Sequence, residues 1–252
     1  MRFFFFLLAA AAAPPRPAGW RFTASVHAEG SASPEIVAAD VTVLGWVRGD
    51  DGRADVVASR NPLLPAGDFL ITRDGGKTVV RIDPKTKTRA AFLRIGSLGT
   101  PAKVTIVSPS VERTADENGG KIAGTAARRV RFRAVYTTEV EAMGSSLRTK
   151  TTRVQDVWTA PRIADRGFSV WAPARPVDTG DAAFDRRLAE EYAGAGGALL
   201  KSVVESTFEM GGRPQQTKTV YEITALAPGA PPAGAFDVPS GFRDETPPPA
   251  KK

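Results

Sequence analysis

Hydrophobic positions recur every second residue through most of this chain. In WRFTASVHA (20–28), Trp20, Phe22, Ala24 and Val26 fall on one side, and Arg21, Thr23, Ser25 and His27 on the other. That alternation predicts a strand buried on one face. Residues 36–47 and 54–59 flank RGDDGR, and residues 67–73 and 78–83 flank DGGK. Gly-containing turns between alternating segments predict β-hairpins. Further strands are expected over 89–94, 102–113, 121–141, 148–161, 198–210 and 217–226, with DPKTKT (83–88), TADENGG (114–120), AMGSS (142–146) and GGRPQQ (211–216) as connections. Within 121–141, Val130, Phe132, Ala134 and Tyr136 face one way, and Arg129, Arg131 and Arg133 the other. A long ribbon of this kind predicts a broad, curved antiparallel sheet with a solvated face.

The period changes clearly to helical once. DAAFDRRLAEEYAG (181–194) sets Phe184, Leu188 and Tyr192 four residues apart, with Asp181 as a cap and glycines from Gly194 as a stop. A weaker helical segment lies between Pro34 and Ala39. The expected fold is α+β and mostly β: one domain over 19–242, a strongly curved antiparallel sheet with one or two helices on its concave face. Residues 243–252 are expected to be disordered.

Three features refine this picture. MRFFFFLLAAAAA, followed by PPRPAGW, has the charged start, apolar run and small-residue exit of a secretory signal peptide, placed at 1–18. The run is too short for a membrane-spanning helix of about 20 residues. No later segment is apolar enough to span, so the mature chain is expected to be periplasmic or secreted. The chain has no cysteine, so a lipid-anchor cysteine is excluded, as are disulfides. The net charge of +7 comes from Lys and Arg spread along strands, not gathered in a block. That favours solubility and weak attraction to anionic surfaces, and nothing points to a nucleic-acid partner.

The chemistry is sparse. Gly76-Lys77-Thr78 matches the end of a phosphate loop, but position 71 is Ile and TVVRI follows. A phosphate loop needs an earlier glycine and a following helix, so this stretch reads as a turn between strands. The single histidine, His27, and the absence of cysteine exclude the usual zinc sites. A Ser-His-Asp triad would have to use His27, and no G-x-S-x-G elbow occurs. Neither a catalytic centre, a metal nor a cofactor is expected. Large apolar residues remain on alternate strand positions, and they can form a solid core or line a cavity for a lipid tail.

The order of motifs resembles the exported lipoprotein-carrier (LolA-like) superfamily, and within it a bacterial domain family of unknown function. The resemblance rests on DFLITRDGGKTVVRIDPKTKTR, on KIAGTAARRVRF, on DVWTAP at 156–161 and on AFDVPSGF at 235–242. It implies a half-open β-barrel of about eleven antiparallel strands, plugged by helices on the concave side. It also implies a non-enzymatic function: relatives carry lipoprotein acyl chains or sense exported lipids and proteins. The expected function is binding of a lipid or lipoprotein acyl chain in the concave face. Phe22, Phe69, Ile71, Phe132, Tyr136, Trp158, Phe184, Leu188 and Phe208 are the candidate lining. The alternative is a cell-envelope interaction or sensor module with a filled core, working through Arg129, Arg131, Arg133 and Lys150 on the outer face.

Overall fold

A computed structural model describes residues 18–30, 40–92, 103–142, 145–171, 181–193, 195–210 and 213–245. The apolar N-terminal segment, the expected helix at 34–39 and the last seven residues lie outside these. Twelve strands form one sheet: β1 (Trp20–Gly30), β2 (Val41–Arg48), β3 (Asp51–Ser59), β4 (Phe69–Thr72), β5 (Val80–Asp83), β6 (Thr88–Ala91), β7 (Lys103–Ile122), β8 (Thr125–Ala142), β9 (Ser145–Ala160), β10 (Ala198–Met210), β11 (Arg213–Pro228) and β12 (Arg243–Asp244). A five-residue 3-10 helix, Arg166–Val170, follows β9 and leads towards α1, Ala182–Ala193.

The sheet order is β12-β6-β5-β4-β3-β2-β1-β11-β10-β9-β8-β7. Two meanders, β1–β6 and β7–β11, are therefore joined where the first strand pairs with the last long one. All neighbours are antiparallel except β12, which lies parallel to β6. The sheet is curved and does not close, ending at β12 and β7. Bulges in β11, β3 and β10, and three register shifts in β7, accompany the curvature. Each places an extra residue in one strand and bends it.

The fold departs from the sequence reading in three places. GGRPQQ is not wholly a connection, since β11 begins at Arg213 and pairs with β10 from there. TADENGG is not a turn: β7 runs through it, and the reversal comes at Ala123-Gly124, where Ile122 pairs with Thr125. Its acids are held across the ribbon, Asp116 by Arg128 and Glu117 by Arg129 at 2.7 Å, and opposite charges on paired strands stabilise a sheet. Arg243–Asp244, placed in the disordered tail by composition, form β12 opposite Thr88 and Arg89. There Arg89 Nε donates to Asp244 Oδ1 at 2.7 Å, and the Arg243 and Glu245 amides donate to the Lys87 and Arg89 carbonyls.

The DGGK turn has no phosphate-loop geometry. Asp74 accepts from the Thr78 amide and hydroxyl, and Thr72 Oγ1 accepts from the Gly76 amide at 2.9 Å. Gly75 and Gly76 both have positive φ, 70° and 83°, which glycine adopts without steric cost. Strand β5 follows at Val80, with no helix to face a phosphate.

The main core lies under the 3-10 helix. Phe168, Val170 and Ile163 pack on Phe22, Val43, Val47, Ala54, Leu70, Leu200 and Ile223. Gly167 approaches β3 backbone to backbone: a Cβ on it would stand 2.1 Å from the Asp51 carbonyl oxygen. Helix α1 covers the far end of the same face. Phe184 and Leu188 pack on Val111, Ala134 and Tyr136.

Candidate functional site

Register assigns each candidate lining residue to a side of the sheet. Across β8, β9 and β10, the inner rows read Val130–Val157–Ser202, Phe132–Gln155–Val204, Ala134–Arg153–Ser206 and Tyr136–Thr151–Phe208. Row one continues through Tyr221 and Val26 to Val41, which joins it to the face that holds Phe22. Phe22, Phe132, Tyr136 and Phe208 therefore share the inner face, and Phe184 and Leu188 cover it from α1. Phe22 meets Phe168 at 5.5 Å between ring centroids, and Tyr136 meets Phe184 at 5.0 Å. Phe22, Phe132, Tyr136, Phe184 and Leu188 are all buried, whereas Phe208 is half-buried.

Three of the nine lie on the other side. Strand β4, FLIT, is buried at every position. Its inner residue Leu70 joins the main core, while Phe69 and Ile71 point outwards and pack with Ile82, Ala235 and Phe236. Here the AFDVPSGF segment crosses the outer face and covers it. Trp158 alternates with Val157 and stands beside Arg129 and Lys201, whose cationic groups lie 5.3 and 5.7 Å from its ring centroid. That is cation–π geometry.

The outer arginines are largely engaged. Asp156, buried on the outer face, accepts from Arg129 Nε at 2.9 Å and from Arg131 Nη2 at 2.8 Å. Burial raises the pKa of this carboxyl, but the hydrogen bonds from Arg131 and Arg129 outweigh it and hold it below the ordinary range. Arg133 is exposed, as is Lys150, which lies 3.8 Å from Glu209. The four candidates of the interaction surface thus share one face, but three of them already have carboxylate partners.

Sequence reasoning missed a polar belt inside the apolar face. Arg153 Nη2 donates to Gln155 Oε1 at 2.9 Å, and Gln155 Nε2 donates to Ser202 Oγ at 2.9 Å. Thr151, Gln155, Ser202 and Ser206 are buried, and Tyr221, also buried, lies opposite Ser202. Among the described residues, Arg153 Nε and Tyr221 Oη are buried with no hydrogen-bond partner. Burial alone pushes the Tyr221 phenol far above its ordinary range. Burial likewise raises the Tyr136 phenol, against the opposing influence of Arg153 and Thr151. The signal was present in RTKTTRVQDVW, where Thr151, Arg153 and Gln155 occupy the side that β8 makes apolar.

His27 lies elsewhere, at an open cleft of about 410 Å³ between β1, β2 and β3. Its Nδ1 pairs with Asp40, whose other oxygen is 3.5 Å from Arg60 Nη1. Among the described residues, no group of three or more His, Cys, Asp or Glu could hold a metal ion. No described helix is long and apolar enough to cross a membrane. No family model, curated protein or solved structure matches the chain.

Proposed function

We propose that the chain is an exported, non-enzymatic binding protein of the lipoprotein-carrier type. It holds an apolar ligand, a lipid or a lipoprotein acyl chain, on the inner face of its half-barrel beneath α1. The observation that supports this reading most is how that helix is attached. Over 182–190, only Phe184 and Leu188 of α1 are buried, while Ala182, Ala183, Arg186, Arg187 and Glu190 are exposed. Burying a large apolar side chain contributes about 1.5–3 kcal/mol, so two such contacts hold the cover over an apolar floor of Val111, Ala134 and Tyr136. An acyl chain of a dozen methylenes, at about 0.8 kcal/mol each, can replace those contacts and lift the helix. The same apolar floor then serves the ligand.

Native mass spectrometry of protein purified from a bacterial periplasm without detergent tests this. An added mass of lipid size is expected, together with uptake of a fluorescent fatty acid that laurate displaces. A bare protein mass and no uptake would count against an apolar ligand. The outer face around Arg133 and Lys150 would then become the working surface, in an envelope interaction module.

A further inference from the structure

The polar belt says what kind of apolar ligand the inner face suits. Arg153 stands in the middle of an apolar frame: Phe132 and Val204 flank its row on one side, Tyr136 and Phe208 on the other. Its row neighbours, Ala134 and Ser206, carry no charge. Among the described residues it forms no ion pair, whereas Arg129 and Arg131 on the opposite face share Asp156. A guanidinium has five donors and no acceptor, and this one is half-buried. One of its nitrogens is bonded to Gln155, while its Nε is buried without a partner. A buried donor left in that state costs about 1–3 kcal/mol, and the cost is recovered when an anionic oxygen reaches it.

We propose that Arg153 is the headgroup anchor of this face, and that the ligand is an anionic single-chain amphiphile. Its carboxylate or phosphate oxygen accepts from Arg153 Nε and from Ser206 Oγ, and its tail lies along Tyr136 and Phe208, towards the floor that α1 covers. Gln155, fixed on Ser202, accepts from Arg153 Nη2 and so restrains the guanidinium. Asp185 of α1 acts on the Tyr136 phenol from the helix side. An anion at Arg153 is therefore accommodated with α1 displaced, as the binding reading requires. The inference rests on that reading and adds the chemistry of the ligand's polar end.

Calorimetric titration of the full chain at pH 8 with laurate and with 1-dodecanol separates the two. The compounds share a tail length and differ at the head. Laurate is expected to bind about 10- to 100-fold more tightly, the range for one charge-assisted hydrogen bond. Arg153→Met should abolish the preference and leave dodecanol affinity within about twofold. Arg153→Lys should keep most of it, since the charge remains while the fork is lost. Lysophosphatidate run in parallel tells a phosphate preference from a carboxylate one. Equal affinity for laurate and dodecanol in the unmodified protein overturns the headgroup assignment and leaves the apolar-ligand reading standing. So does a preference that survives Arg153→Met. Failure of both compounds to bind overturns both. The comparison in the unmodified protein needs no variant to fold.

Discussion

At the residue scale, single side chains decide questions that a motif leaves open. Gly76-Lys77-Thr78 carries the ending of a phosphate loop, but Asp74 turns it into a carboxylate-centred turn. Desolvation raises the pKa of the Asp74 carboxyl, but the Thr78 hydroxyl and amide, the Thr72 hydroxyl and the Lys77 amide all donate to it and together outweigh that effect. Its pKa falls from 3.8 to about 2. A folded-state pKa below the unfolded value gives stability that is present above the unfolded pKa. That stability is lost as pH falls through the folded one. Asp74→Ala should therefore cost about 1 kcal/mol at pH 7, a figure already discounted for the exposure of the turn. The difference between the two proteins should shrink as pH falls from near 4 towards 2. Urea titrations at several pH values in that window check this; a difference that stays constant down to pH 2 would refute the assigned role. The sequence located this turn through its glycines, but it could not identify the acceptor. Asp74 and its four donors are adjacent in sequence, yet they converge only once Thr72 and Thr78 are set by the strands on either side.

At the scale of elements, alternation was readable and sidedness was not. Period two placed most of the strands, and Asp181 marked the start of α1: its Oδ1 accepts from the Ala183 and Phe184 amides at 3.0 Å. What alternation cannot give is whether the polar side of a strand is covered. FLIT shows no alternation because both faces of β4 are buried, one under the core and one under the tail. The sequence pattern therefore groups Phe69 and Ile71 with Phe22, although the sheet separates them. The 3-10 helix gave no periodic signal at all, since five residues are too few. It sits where it does because glycines allow it. Gly167 donates to the Gly49 carbonyl at 2.9 Å, and Gly52 lies against its backbone. A Cβ on Gly52 would come within 2.1 Å of the Gly167 carbonyl oxygen, and backbone cannot rotate away as a side chain can. Gly52→Ala or Gly167→Ala should lift Phe168 and Val170 off the core and cost about 1–3 kcal/mol or more, the range of overpacking. Thermal melts measure the loss. A rise in Trp171 fluorescence change at lower denaturant than the global transition would show the helix releasing first.

For the whole molecule, the sheet must manage two open edges and one exposed apolar patch. The long edge strand β7 is charged and has three register shifts, devices that discourage pairing with another chain. The other edge is closed by the C-terminal segment, which does two jobs at once. Ala235 and Phe236 cover Phe69, Ile71 and Ile82, with Trp46, Val80, Val238 and Phe242 packed around them. Arg243–Asp244 then add the twelfth strand beside β6. Arg53 ties this cover down, donating to the Ala235 carbonyl at 3.2 Å and stacking 4.0 Å over the Phe69 ring. Neither role was legible in a Pro- and Gly-rich tail, because its two phenylalanines show no period; only the docked fold gives them a partner. Removing residues 231–252 should leave the inner face and α1 as they are, while exposing a contiguous apolar patch on β4 and β5 and the unpaired edge of β6. Such patches bind apolar dyes and associate. The truncated chain is expected to bind anilinonaphthalene sulfonate, to elute larger than a monomer and to melt several degrees lower. Phe236→Ala, which keeps β12, should lose about 3 kcal/mol with much less association, because the edge stays covered. If the truncated protein stayed monomeric and melted with the full chain, the tail would be no part of the fold's outer layer. Because the patch and the proposed ligand face lie on opposite sides of the sheet, truncation should also leave laurate affinity unchanged in whatever fraction remains monomeric, so losses of stability and of binding can be told apart.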